Sequence, residues 1–149
     1  SLDASVRGEI LALMLRLVRE KGVTILVVTH DLGLAWNIAD RIAVMYLGRI
    51  IELGTTEEMM SAPRHPYTRA LLSVVPEHQR LEQQILEGEA PDPRRIPAGC
   101  RFHPRCPVVR SGDAERLGIL ERCRTEDLGL EPVAGAPAHV AACHALQAL

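Results

Sequence analysis

The chain is poor in the side chains that proteins use to hold nucleic acids and sugars. Aromatic residues make up 3% of its 149 residues, and only one of its 17 basic residues, Lys21, is a lysine. The formal net charge is −2, which argues against a protein that binds nucleic acid through a generally basic surface. Aromatic stacking platforms and electrostatic capture of phosphate chains are therefore excluded as the main activity.

Long apolar runs are also missing. The longest, residues 23–29, has the length of a strand, whereas a helix needs about 20 apolar residues to cross a bilayer. Residues 1–3 carry no secretory-leader pattern and lead directly into a charged helix. Hydrophobic residues at 47% and charged residues at 24% are typical of a folded globular protein. We therefore expect a cytoplasmic chain.

The first half of the sequence predicts alternating helices and strands. Asp3 is placed to cap a helix over about residues 4–21, with its apolar residues in one stripe and Gly22 as its stop. The continuous apolar run at 23–29 predicts a strand buried on both faces, as in a parallel sheet. The remaining predicted elements are a helix over 31–39, strands over 41–46 and 49–53 joined by a Leu47-Gly48 turn, a helix from Thr55, and a helix over 66–75.

The predicted strand at 23–29 has no parallel neighbour in this sequence. A buried strand needs partners for its backbone N–H and C=O groups. We therefore expect the isolated chain to associate with itself, by pairing the edges of 23–29 or by exchanging the N-terminal helix.

The last third has a different composition. Residues 77–99 are charged and then rich in proline, which predicts a helix fragment and a linker. Beyond them we expect at most two short helical stretches, held by cysteines rather than by an apolar core. The cysteines Cys100, Cys106, Cys123 and Cys143 have the spacing C-x5-C-x16-C-x19-C. In a cytosolic protein this favours a metal site over disulfides, although the first gap is unusual for zinc; metal-free or disulfide-paired cysteines remain open.

Several motifs together carry a family resemblance. Residues 1–3 (SLD) look like the end of a D-loop, and residues 23–29 followed by His30-Asp31 look like a strand with its switch histidine. Residues 64–72 (RHPYTRALL) and the segments 99–107 (GCRFHPRCP) and 140–144 (VAACH) complete the pattern. Over essentially its whole length, the chain resembles the C-terminal part of the ATP-binding subunits of oligopeptide and dipeptide ABC importers.

The resemblance implies a fold and a domain organisation. The expected fold class is α/β: residues 1–62 form the C-terminal part of a P-loop NTPase (ABC ATPase) core. Residues 63–149 form the small, loop-rich extension of peptide transporters, with the cysteine-rich tail from about residue 98. The implied function is to power the import of peptides, or of nickel. Walker A, the signature motif and Walker B do not occur in the sequence, so we expect this fragment alone to be inactive.

The resemblance also implies roles for single residues. His30 would be the switch histidine that contacts the γ-phosphate of ATP, although the residues alone allow it to be only a neighbour of a helix start. Asp3 would lie at the interface between two ATPase subunits while also capping its helix. The four cysteines would bind a 4Fe-4S cluster through their thiolates, with zinc or no metal as alternatives, and His103, His139 and His144 could replace a zinc ligand.

Further expectations concern the surroundings of these residues. The arginines next to the cysteines are expected to lower the thiol pKa values; they are Arg101, Arg105, Arg122 and Arg124. The segment His65-Pro66-Tyr67 is expected to be structural, without chemistry of its own.

The expected cofactors of the intact protein are ATP and Mg, besides the cluster. Its expected partners are a second ATPase subunit and the transmembrane permease subunits, with no nucleic acid, and its location is the inner face of the cell membrane. One alternative is a non-catalytic metal-binding or regulatory module that docks on a transporter. A weaker alternative is an ABC ATPase of the DNA-repair or ribosome-associated type.

Overall fold

A computed structural model of the chain describes residues 4–75, 83–89, 91–146 and 148. The chain divides into two compact units, Ser1–Ala39 and Asp40–Leu149, which are described separately. The predicted boundary at 62/63 separates an ATPase core from its extension, whereas the observed division separates compact units. It therefore stays a prediction. Within the described residues, no helix has both the length and the apolar character required to span a membrane.

The first unit contains two helices that agree with the sequence prediction. Helix α1 spans Ala4–Lys21 and α2 spans Leu32–Ile38. Gly22 ends α1 in the left-handed region, with φ +64°, and its N–H donates to the carbonyl oxygen of Val18 at 3.0 Å. Asp31 caps α2 by accepting the Leu34 N–H at 2.9 Å. Asp3, the predicted cap of α1, lies outside the described residues.

The predicted strand at 23–29 is wrong for this chain. These residues have no regular secondary structure, and the side chains of Leu26 and Val28 are 90% and 92% exposed. A parallel strand needs a neighbour on at least one side, and no other segment of the first unit is extended alongside it within the described residues. Ile10, Leu13 and Leu17 on the apolar stripe of α1 are exposed as well.

The second unit is built on a four-stranded antiparallel sheet. Its strands are β1 (Arg41–Tyr46), β2 (Arg49–Thr55), β3 (Glu131–Val133) and β4 (Ala136–Ala141), in the order β1-β2-β4-β3. The predicted two-residue turn between β1 and β2 is confirmed: Leu47 and Gly48 have φ of 46° and 74°, as such turns require. Strands β3 and β4 were not predicted, because both lie in a segment without clear alternation of apolar residues.

Short helices surround the sheet. Helix α3 spans Thr56–Ser61 and begins with a capping box between Thr55 and Glu58, and α4 spans Pro66–Ser73 with proline in its first turn. In the tail, a 3₁₀ turn at His103–Arg105 precedes α5 (Pro107–Arg110), α6 (Asp113–Arg116) and α7 (Leu120–Thr125). The expectation of at most two helical stretches in the tail was therefore wrong, because helices of four to six residues are too short to show a periodic pattern.

An apolar core joins the sheet, α4 and the tail. The rings of Tyr46, Tyr67 and Phe102 contact one another edge to face, with centroids 4.7, 5.1 and 5.3 Å apart. Val44, Met59 and the thiol-bearing Cys106 are buried in the same cluster. The tail therefore has an apolar core shared with β1 and α4, which corrects the expectation that cysteines alone would hold it.

Candidate metal centre

All four cysteines line one cavity in the second unit. Each is a free thiol, and each comes from a different local element: the turn after Gly99, the residue before α5, α7, and the residues after β4. The cavity lining consists of these cysteines, three histidines and apolar side chains: Cys100, Cys106, Cys123, Cys143, His65, His103, His144, Pro66, Phe102, Val108, Val109, Ile119 and Ala145. The four predicted ligands thus line the same cavity, while their role as metal ligands stays a prediction.

Gly99 allows the backbone that carries Cys100 to pack directly against the backbone that carries Cys123. Gly99 has φ +65°, and a Cβ built there would lie 2.5 Å from the carbonyl carbon of Arg124 and 2.7 Å from the carbonyl oxygen of Cys123. Immediately beyond it, the Cys100 N–H donates to that Cys123 oxygen at 2.9 Å. The backbones that carry Cys100 and Cys123 are therefore in direct contact, and only glycine has room at position 99.

Burial disfavours the ionised form of the four thiols. It raises the pKa of every one of them, to about 11 for Cys106 and about 12 for Cys143. The thiols also affect one another, because a negative charge on Cys100 raises the pKa of Cys106, Cys123 and Cys143 further. Thiols that raise one another's pKa would be stabilised as thiolates by a cation bound among them.

The expectation that the flanking arginines lower the thiol pKa values holds for one of the four arginines. Only Arg122 acts in that direction among the four, on Cys123, and burial outweighs it. The guanidinium of Arg101 instead donates to the carbonyl oxygen of Leu47 in the β1–β2 turn, and that of Arg105 donates to the carbonyl oxygen of Glu87 at 3.3 Å. Arg101 and Arg105 thus form hydrogen bonds between the tail and the backbone of neighbouring segments.

The chemistry of the donors indicates which kind of metal group would suit the lining. Across the part of the chain that the structure describes, no three histidine, cysteine or carboxylate side chains converge closely enough to hold a single ion. Zinc needs its ligands about 2.0–2.3 Å from one point. An iron-sulfur cluster instead bonds each thiolate to a separate iron, so its four ligands are spread more widely. A lining with four sulfur atoms and no carboxylate suits soft, thiolate-bound metals.

The histidines weighed as substitute ligands differ in their contacts. His139 Nε2 is hydrogen-bonded to the Glu52 carboxylate at 2.7 Å, away from the cavity lining. His103 donates from Nδ1 to the carbonyl oxygen of Cys100 at 2.9 Å. His144 donates from Nε2 to the carbonyl oxygen of Glu126 at 3.1 Å, and its Nδ1 is buried without a hydrogen-bond partner. His144 therefore leaves one nitrogen lone pair unused in a residue that lines the cavity.

A buried carboxylate fixes the segment that precedes α4. Glu52 on β2 is fully buried and accepts the backbone N–H groups of Arg64 at 2.6 Å and His65 at 2.9 Å. Its third partner is His139 on β4. The role of Glu52 was missed from the sequence, although one glutamate inside the apolar run of β2 is the signal that marks it.

His30, the predicted switch histidine, lies in the first unit. It is exposed at the bend before α2, between Thr29, whose hydroxyl accepts the Asp31 N–H at 3.0 Å, and Asp31, which caps the helix. The capping is thus done by Asp31 and not by His30. The predicted contact of His30 with a nucleotide stays a prediction.

Comparison with known proteins identifies the relatives of the chain. Residues 51–112 match the family described as oligopeptide/dipeptide transporter, C-terminal region. The chain is 41% identical over 147 residues to a probable peptide ABC transporter ATP-binding protein of Sinorhizobium fredii, covering 97% of this chain and 38% of that protein. It is 43% identical over 126 residues to the oligopeptide transport ATP-binding protein OppF of Escherichia coli, covering 81% of this chain and 38% of that protein.

A third relative is named for the transport of dipeptides. The dipeptide transport ATP-binding protein DppF of Haemophilus influenzae is 50% identical over 109 residues, covering 71% of this chain and 33% of that protein. The chain thus spans well under half the length of each of these relatives. Residues 51–112 thus match the family described as oligopeptide/dipeptide transporter, C-terminal region, and most of the chain is similar to part of the ATP-binding proteins of peptide ABC transporters.

Proposed function

We propose that this chain is the C-terminal part of an ATPase subunit that powers peptide import by an ABC transporter. The observation that carries the proposal is the family match over residues 51–112, which runs from β2 through α4 to the first two cysteines of the tail. The relatives named for oligopeptide and dipeptide transport favour peptides as the solute, with nickel as an alternative. The proposed cofactors of the intact protein are ATP and Mg.

The proposed mechanism uses the first unit as the end of a P-loop NTPase core. The exposed apolar run at 23–29 suits a strand that pairs with the remainder of such a core, and His30 directly follows it. At the end of that strand, His30 would contact the γ-phosphate and orient the attacking water, so it would stabilise charge without forming a covalent bond. Asp3 would contact a second ATPase subunit, and closure of the pair on ATP would drive the permease subunits at the cytoplasmic face of the membrane.

The test compares two adjacent residues in the protein that contains this chain. His30→Ala is expected to lower the rate of ATP hydrolysis by about 10²–10³-fold, as for loss of one group that stabilises transition-state charge. Asp31→Ala is the matched control, because it removes the cap of α2 at a cost of about 0.5–2 kcal/mol and touches no phosphate. Equal losses in the two variants would show that this segment matters only for folding.

The cysteine cavity belongs to the same proposal as the site of a 4Fe-4S cluster. Four thiols that line one cavity and no carboxylate in its lining support a thiolate-bound group at this site, and all-sulfur ligation is typical of an iron-sulfur cluster. Cys100, Cys106, Cys123 and Cys143 would each bind one iron, and the cluster when bound would supply structural cross-linking or one-electron chemistry. The chain's own residues would bury it and exclude water.

Metal analysis of anaerobically purified protein tests the cluster. About four iron and four sulfide per chain, with loss of both in Cys100→Ser and Cys143→Ser, is the expected result. One zinc without sulfide would replace the cluster by a structural zinc site. Absence of both metals under these conditions would remove the metal centre and leave the ATPase part of the proposal.

A second candidate function is a metal-binding or regulatory module that docks on a transporter without hydrolysing ATP. It is favoured by one observation, that Asp40–Leu149 is a compact unit with the cavity entirely inside it. Measuring ATP hydrolysis of the purified protein with its permease subunits distinguishes the two. Hydrolysis that depends on His30 supports the ATPase, and peptide uptake without such dependence supports the module.

A further inference from the structure

Cys100 and Cys123 are joined by a hydrogen bond between their own backbones. The Cys100 N–H donates to the Cys123 carbonyl oxygen at 2.9 Å. Standard bond lengths then limit the distance between the two Cα atoms to less than about 7 Å. A disulfide joins residues whose Cα atoms are about 4.4–6.8 Å apart. The fold therefore holds these two cysteines near the separation that a disulfide spans.

The side chains of the two residues face the same space. Both line the cavity of the second unit, and both are free thiols. The thiol of Cys100 also raises the pKa of Cys123, as expected for two neighbouring thiols when one of them carries a charge. A disulfide needs this combination of close backbones and side chains that point to one side.

The other pairings of the four cysteines have less support from the geometry. Cys106 and Cys143 line the same cavity, but no backbone hydrogen bond joins either of them to another cysteine within the described residues. Cys100 and Cys106 are the closest pair in the sequence, so their loop costs the least entropy to close in an unfolded chain. Folded and unfolded chains should therefore favour different disulfides.

We propose that Cys100 and Cys123 form a reversible disulfide that fixes the start of the tail against α7. The oxidant is a small disulfide such as oxidised glutathione. The Cys100 thiolate attacks one of its sulfur atoms, which breaks the S–S bond, releases one small thiol and leaves a mixed disulfide. The Cys123 thiolate then attacks the Cys100 sulfur and releases the second small thiol. The two cysteines thereby lose two electrons to the oxidant, and their two protons are taken up by the released thiols.

The order of attack follows from exposure. Cys100 is partly exposed while Cys123 is buried, so an oxidant in solution reaches Cys100 first. The new bond closes a loop that contains α5 and α6. The inference does not rest on the proposed ATPase function. It concerns the chain without a bound metal, because a cluster would use the same sulfur atoms.

Peptide mapping identifies the disulfide, because each cysteine lies on a different tryptic peptide. Cleavage after arginine gives residues 96–101, 106–110, 123–124 and 125–149. The full chain is reduced, treated with a chelator and incubated with oxidised glutathione, and the remaining thiols are blocked with N-ethylmaleimide before digestion. In the folded chain, 96–101 linked to 123–124 is expected in about tenfold excess over any other linked pair, the factor that one retained backbone hydrogen bond supplies. In urea, 96–101 linked to 106–110 should dominate.

Gly99→Ala tests the contact that brings the two cysteines together. The added Cβ would collide with the backbone of Cys123 and Arg124. The yield of the disulfide in the folded chain should therefore fall about tenfold, as for loss of the hydrogen bond between the two backbones. Gly112→Ala is the matched control, because Gly112 lies in the same loop with a positive φ, but a Cβ there would meet nothing within 4 Å. Its yield should equal that of the wild type.

Four results would overturn the inference. Equal amounts of the alternative pairings would show that the fold prefers none of them. Dominance of the Cys100–Cys106 disulfide in the folded chain would assign the pairing to sequence separation alone. Unreacted Cys100 and Cys123 in excess oxidised glutathione would show that the cavity keeps both as thiols. An unchanged yield in Gly99→Ala would reject the backbone contact as its origin. The ATPase test on His30 stands apart from all four results.

Discussion

Gly99→Ala is the substitution whose effect follows most directly from the geometry. The added Cβ would lie 2.5 and 2.7 Å from the carbonyl carbon and oxygen of Arg124, and 2.7 Å from the carbonyl oxygen of Cys123. These contacts are with backbone atoms, which cannot rotate away as the end of a side chain could. The segment that carries Cys100 must therefore move away from α7.

The magnitude can be built from separate contributions. Alanine at φ +65° costs about 1–2 kcal/mol relative to glycine. Loss of the 2.9 Å hydrogen bond from the Cys100 N–H to Cys123 costs about 0.5–1.5 kcal/mol. With the remaining steric strain, we expect a loss of about 2–4 kcal/mol in the free energy of unfolding. At the size of this unit, each kcal/mol lowers Tm by roughly 4 °C.

Gly112→Ala is the matched control for the backbone conformation. Gly112 has φ +82°, but a Cβ there would meet nothing within 4 Å. It therefore carries the conformational cost of about 1–2 kcal/mol without the collision. The difference between the two variants isolates the close approach of the two cysteine-bearing segments.

The assay is urea denaturation of both variants, together with iron and sulfide content after anaerobic purification. Gly99→Ala should be the less stable variant and should lose iron, while Gly112→Ala should retain it. Equal stability of the two variants, or full iron content in Gly99→Ala, would refute the argument that glycine at this position holds Cys100 against Cys123.

Three further predictions concern other parts of the chain. Glu52→Gln should cost about 2–4 kcal/mol of unfolding free energy, because an amide cannot accept all the hydrogen bonds of this buried carboxylate; the exposed Glu115→Gln should change it by less than about 0.5 kcal/mol. Because the pKa of His65 is depressed in the folded state, the unfolded state binds one more proton below about pH 6.5. The contribution of His65 to the free energy of unfolding should therefore be full above about pH 6.5 and decrease towards pH 3, by up to about 1.4 kcal/mol per pH unit. Urea denaturation across this pH range measures it, and an equally steep decrease in His65→Asn would show that another group causes the pH dependence. The isolated chain should self-associate through residues 23–29, and Leu26→Lys should reduce this association in sedimentation velocity; a monodisperse, folded wild-type monomer would rule it out.

The elements predicted correctly from the sequence are those with complete local signals. Helix α1 has several turns of apolar periodicity and a glycine stop, and the β1–β2 hairpin has Leu47-Gly48 at its turn. Thr55 and Glu58 form the expected helix start. In each case the residues that decide the structure lie within a few positions of one another.

The elements that were missed depend on distant residues. Strand β4 pairs with β2, so that Leu53 lies opposite Val140, and nothing near β4 in the sequence indicates this partner. The run at 23–29 has the composition of a buried strand and yet is not one, because a strand is defined by its neighbours. In both segments the presence or absence of a partner strand decided the outcome.

In the candidate site, too, local features of the sequence could be predicted and features that depend on distant residues could not. The four cysteines could be predicted as a group from their number and their position in the tail. Their high pKa values could not, because burial by distant apolar residues outweighs the arginines next to them in the sequence. His65 was expected to be purely structural, and its presence in the cavity lining depends on the packing of α4 against the tail.

The place of β4 in the sheet has a consequence for biosynthesis. Glu52 receives its third partner, His139, across 87 positions of sequence, so in a nascent chain its carboxylate lacks one of its three partners until β4 has left the ribosome. At about 5–20 residues per second, translation of that stretch takes roughly 4–17 seconds. During this time β2 is an open strand edge, the kind of surface that aggregates or recruits chaperones. Order in the segment before α4 therefore depends on a residue that is made 87 positions after Glu52.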